Sequence, residues 1–146
     1  MKVKNIVEQA ICLLIIIAHS NDEKPLKSYN ISDSLGVSDS YLKKIIRQLV
    51  VAGLITSEAG KKGGVCLSRK PDKITLLDIF EAIEGKEPFA KATGLVERVF
   101  VNELKEIMDQ KQAMILDAFN AAEASYKEKL KTITLKMAMV ERKKDS

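Results

Sequence analysis

"NISDSLGVSDSYLKKIIRQLVVAGLITSEAGKKGGVCLSR", residues Asn30–Arg69, changes its periodicity twice. It begins with Ile31 and Leu35 at a spacing of four, followed by Gly36, the residue type that most readily takes the left-handed conformation ending a helix. Two residues on, Ser38 stands as an N-cap ahead of Leu42, Ile45, Ile46 and Leu49, an i, i+3, i+4, i+7 stripe. That stripe turns Asp39, Ser40, Lys43, Lys44 and Arg47 to the opposite side, so the basic face is exposed by construction. Gly53 ends this second helix. "LITSE" and "VCLSR" then read as two short strands around "AGKKGG", a turn whose glycines permit positive φ and hence a hairpin.

Upstream, Val3–Ala18 has apolar residues at helical spacing, and its second half, "ICLLIII", is apolar all round and needs cover on more than one side. Pro25 breaks the following stretch, and Ser28 is expected to cap the short helix that carries Ile31. Downstream, Pro71 closes the unit. "TLLDIFEAIEG" then pairs Thr75 with Asp78 as a capping box, buries Leu76, Ile79, Phe80 and Ile83, and stops at Gly85. After a loop from Pro88 to Gly94, a helical pattern runs to Lys131 in one or two pieces through Leu104, Met108, Ile115, Phe119, Ala122, Tyr126 and Leu130. At ~1.5 Å per residue, the part from Leu104 onward is ~40 Å long, more than a small core covers, and a partner chain is its natural cover. A short terminal helix capped by Thr134 and the solvated tail "ERKKDS" complete the chain.

The 146 residues, 46% of them apolar, suit a single ordinary domain with an arm. The longest apolar run, Ala10–Ala18, is about half the ~20 residues of a bilayer span. No small-residue cleavage site follows it, so the expected location is the cytoplasm, with no membrane partner. Two cysteines far apart, Cys12 and Cys66, have neither metal-ligand nor disulfide spacing. The net charge of +4 is unevenly spread: Ser38–Lys73 holds eight basic residues against three acidic ones, a local +5. With one His, no nucleophile beside a base and no Gly-rich phosphate loop, an enzyme is not indicated.

Helix, glycine turn, helix with a basic outer face, then basic hairpin is the element order of a winged helix-turn-helix. A helix fits the major groove of B-DNA, roughly 12 Å wide, and its N-terminal side chains reach base edges. Ser38, Asp39 and Ser40 stand at that N-terminus, where hydroxyls and orphan N–H groups bind phosphate or bases. Arg47 suits a bidentate contact to guanine or a phosphate, and Lys43 and Lys44 suit phosphate. Tyr41 either touches a phosphate or braces the helix. Lys61, Lys62 and Gly63 form the hairpin tip, which would meet the neighbouring backbone or minor groove. Ser28 is counted with these DNA contacts.

The stretch "SDSYLKKIIRQLVVAGLITSEAGKKGGVCLSRKPDKITLLDIFEAIEG", Ser38–Gly85, resembles the bacterial Rrf2 repressors, the group containing the iron–sulfur cluster, nitric-oxide and cysteine-metabolism regulators. A capping Ser, a "YL" pair, an "AGL" helix end, a "GG" wing and "ITL-D-EG" recur there at this spacing. The resemblance covers residues 1–87 well and the remainder by architecture. It implies a mainly α protein with a small β-hairpin wing: a winged helix-turn-helix DNA-binding domain, 1–87, and a helical dimerisation region, 88–146. Such a homodimer would bind double-stranded DNA at a pseudo-palindrome and repress transcription. The effector is left open between a small molecule, a partner protein and thiol oxidation.

Three departures narrow the inference. Cluster-binding members carry three cysteines after the "EG" helix, whereas Lys86–Met108 has none, so no cofactor is expected. Ala59 stands where many members have a wing Arg, and Lys43 where some have Glu. Cys66, with Lys61, Lys62 and Arg69 near it in sequence, is the redox candidate, since nearby cations lower a thiol pKa. Cys12 reads as a core filler, and His19 as a helix C-terminal residue facing the macrodipole. The rival function is a winged-helix protein-interaction module, which should expose apolar residues rather than lysines.

Overall fold

The structure, a computed structural model, describes residues 5–20, 26–61 and 63–140, and of Tyr29 the backbone alone. The chain divides into two compact units, Met1–Gly85 with Leu130–Ser146, and Lys86–Lys129.

The first unit is built on α1 (Asn5–His19), which packs against α2 (Ser28–Leu35), α3 (Asp39–Val51), β2 (Gly64–Leu67), α4 (Leu76–Glu84) and α7 (Leu135–Ala138). Cover from so many elements is what its all-round apolar second half requires. Leu13, Leu14 and Ile17 are buried, and Ile11, Ile15 and Ile16 are half-buried against the same core. Cys12 is a correction: it is exposed, on a side of α1 that none of the other described residues covers, rather than a core filler.

Local signals set the next elements. Gly36 takes φ 67°, and its N–H and that of Val37 both donate to the Ser32 carbonyl, ending α2. Ser38 caps α3 by accepting the Tyr41 N–H at 3.2 Å. The expected stripe Leu42, Ile45, Ile46 and Leu49 is buried. Gly53, at φ 76°, and Leu54 close α3 by donating to Val50 and Leu49. β1 (Ile55–Glu58) and β2 then pair antiparallel from Ile55↔Leu67 to Glu58↔Gly64.

A single 3-10 turn, Pro71–Lys73, leads to α4, whose Thr75–Asp78 capping box forms in both directions, at 3.1 and 2.9 Å. The buried residues of α4 are Leu77, Ile79, Phe80 and Ile83; Leu76, expected inside, is half-buried. Thr75→Ala should lower the unfolding free energy by about 1 kcal/mol, the usual worth of such a cap, measured by urea titration. An unchanged midpoint would show the cap to be dispensable.

The C-terminal segment belongs to this core. Leu76 N–H donates to Ile133 O at 2.9 Å and Leu135 N–H to Ile74 O at 2.7 Å, and Leu135 is fully buried. Thr134 caps α7, as its sequence suggests.

In the second unit, the helical pattern splits into α5 (Leu95–Val99) and α6 (Lys105–Lys131), the latter running on into the first unit. The 27 residues of α6 include none that is buried. Ile107, Met114, Ile115 and Phe119 lie exposed along one side of it. The loop before α5 is fastened to α6: Phe89 N–H donates to Glu123 at 2.6 Å, its ring meets Tyr126 edge-on, and Lys127 lies over it while pairing with Glu123. The Phe89 N–H above all holds the Glu123 carboxyl below its ordinary range.

Candidate nucleic-acid interface

With Leu42, Ile45, Ile46 and Leu49 committed to the core, α3 turns Asp39, Ser40, Lys43, Lys44 and Arg47 to solvent, all exposed. Tyr41 is borderline, 37% exposed at the edge of this face. Asp39 and Lys43 pair at 3.4 Å, a solvated i, i+4 contact too weak to withhold the lysine from a phosphate. The Ser38 and Ser40 hydroxyls lie 3.3 Å apart at the helix N-terminus.

Between α3 and the wing lies an open cleft of about 630 Å³, lined by Lys43, Arg47, Val50, Val51, Ser57 and Gly60 among others. α3 and the hairpin therefore share one surface. Lys61 is exposed at the hairpin turn; Lys62 lies outside the described residues. Gly63 is required there by close approach: a Cβ on it would stand 2.2 Å from the Glu58 carbonyl oxygen.

Ser28 is a correction. It is the first helical residue of α2, not the cap; the N-cap position is Lys27, which makes no side-chain cap bond. The Lys27 ammonium instead donates to Gly60 O at 2.7 Å and to Gly63 O. Just before it, Leu26 exchanges both backbone hydrogen bonds with Val65 on β2, at 3.3 and 2.9 Å. Neither contact is signalled by the sequence, because each joins residues more than thirty positions apart.

Cys66 is half-buried opposite Thr56 in the hairpin. It borders a hollow of about 310 Å³ with Ile17, Ser20, Arg69, Lys70 and Pro71. The Arg69 guanidinium is directed to Asp78 and to the Lys73 carbonyl, at 3.3 and 3.2 Å. As a cluster cradle the donor set does not fit. The chain has two thiols, one on α1 and one on β2, against the four cysteine ligands that usually hold an iron–sulfur cluster. Among the described residues no three His, Cys, Asp or Glu converge on a metal position, and no helix is long and apolar enough to cross a membrane.

Against known proteins, residues 3–141 match the profile of Rrf2, described as an iron-dependent transcriptional regulator. YwgB of Bacillus subtilis, assigned by its name to the helix-turn-helix transcriptional regulators, is 38% identical over 120 residues, 82% of this chain and 77% of YwgB. CymR of the same organism, named as an HTH-type transcriptional regulator, is 32% identical over 85 residues, 58% of this chain and 62% of CymR. The solved structure of CymR, the global cysteine regulator of B. subtilis, aligns with 94% of this chain and 95% of its own at 24% identity and a TM-score of 0.64, a shared fold.

Proposed function

The chain belongs to the Rrf2 family of DNA-binding transcriptional regulators, and from that membership we propose that it is a repressor that binds a pseudo-palindromic operator as a homodimer, without an iron–sulfur cluster. One observation carries the reading: Lys43, Lys44 and Arg47 are exposed on the face of α3 opposite its buried stripe, and Lys43 and Arg47 line the same cleft as the wing. A polyanion of groove dimensions fits that surface.

In this reading Arg47 contacts a base or phosphate, Lys43, Lys44 and Lys61 contact phosphates, and Ser38, Asp39, Ser40 and Tyr41 approach the duplex at the N-terminus of α3. Ser28, Lys62 and Gly63 complete the proposed contact set. Residues 1–87 are the DNA-binding region. Residues 88–146 dimerise, their last stretch also closing the core of the head. The exposed apolar side of α6 supports the homodimer, since such a stripe is otherwise costly in water. The lack of thiols after α4 supports cluster-free action. The trigger is a small molecule, a partner protein or oxidation of Cys66.

The rival reading, a protein-docking wing, draws on Val51, 81% exposed, and on Val50 beside it. Salt separates the two. DNA affinity measured by anisotropy should fall steeply as salt rises, with a log–log slope of about −0.9 per phosphate neutralised, whereas an apolar interface would hardly respond. Lys61→Ala should weaken binding to every duplex alike and make the slope shallower by about 0.9 per head, about 1.8 for the homodimer, leaving sequence preference intact.

A further inference from the structure

We propose that Lys27 is the positioning residue of the wing: its ammonium fastens the hairpin tip to the start of the helix-turn-helix, at the setting from which Lys61 meets DNA. The inference rests on the DNA-binding reading above and adds to it a residue that touches the tip rather than the duplex.

A hairpin of two four-residue strands is marginal by itself. Its ladder ends at Glu58↔Gly64. Beyond that point the turn is closed, among the described residues, by one backbone hydrogen bond, Gly63 N–H to Gly60 O at 3.1 Å. The Lys27 ammonium adds charge-assisted bonds to both Gly60 O and Gly63 O, the two ends of the turn. Leu26 meanwhile ties β2, one residue below its turn end, to the same segment through its paired bonds with Val65. One dipeptide thus holds the turn and the adjoining end of β2.

That dipeptide leads directly into α2, which packs against α3. The clamp therefore relates the tip to the reading helix, and a tip ordered in advance loses less conformational entropy on binding. The competing role is direct: an ammonium has three donors, two of which are used here, and Lys27 borders the same cleft as Lys43 and Arg47.

A double-mutant cycle on the full-length dimer decides between them, using an operator duplex obtained by in vitro selection. Lys27→Met should lower affinity about tenfold in the wild-type background but less than about twofold where Lys61→Ala and Lys62→Ala have already removed the tip charges. In the free protein, the Gly63 amide should exchange faster in Lys27→Met, with the unfolding midpoint unchanged. Equal losses in both backgrounds, or no loss in either, would overturn the clamp. Tip-neutral protein binding like wild type would instead sink the wing's role in DNA binding, and the Gly63 exchange rate would still report on the clamp itself.

Discussion

Glutamate at both Ile115 and Phe119 splits the proposed dimer and lowers operator affinity by about 100- to 10,000-fold, the usual scale on which two linked binding modules exceed one. Both side chains lie in the middle of α6, 55% and 57% exposed, in a 27-residue helix with no buried residue. On a single chain they cost little to replace, because they are already in water. In a dimer the same positions would be desolvated, and a carboxylate there must give up its hydration without a partner. Sedimentation should show one chain per particle, while urea unfolding of the head stays as in wild type. A variant that remains paired and binds fully would remove α6 as the dimer contact.

Arg47→Ala should cost about 1 to 3 kcal/mol of operator affinity per half-site and relax preference at one base pair of each half-site, if the guanidinium reads guanine. Arg47 lies two turns into α3, on the exposed face, bordering the cleft. Arg47→Lys separates charge from geometry: it keeps the salt dependence but loses the planar fork, and with it the base preference. This contrasts with the uniform weakening expected of Lys61→Ala. Competition titrations with single-base operator variants measure both effects. Unaltered affinity and preference in both Arg47 variants would take this residue out of the interface.

The head was legible wherever the signal was local. Gly36 and Ser38 announce the turn and the cap of the helix-turn-helix, Thr75 and Asp78 announce α4, and the glycines of "AGKKGG" announce the hairpin; each works within a few residues of itself. The misses are matters of tertiary proximity. Ser28 looked like a cap, but the helix begins one residue earlier, and Lys27 spends its side chain on the wing. Cys12 sits in an apolar run, yet its own side of that run is exposed among the described residues. Leu76 and Leu77 are adjacent on α4, and which of them faces inward follows from the packing of α4 against α1 and α3. That Leu135 would return to the head core could not be read from "TITLKMAMV", because its partner, Ile74, lies some sixty residues away. The candidate surface followed from the α3 stripe alone; the device that sets the wing beside it did not.

A hydroxyl-radical footprint of the purified protein on a selected operator reads the DNA contacts of both heads at once. Two protected patches are expected on one face of the duplex, about one helical turn of 10 to 10.5 base pairs apart or a multiple of it, both lost when Lys43, Lys44 and Arg47 are replaced together by alanine in a protein that still folds. Protection that survives that triple replacement, or a single patch from a paired protein, would contradict binding of the paired heads through α3.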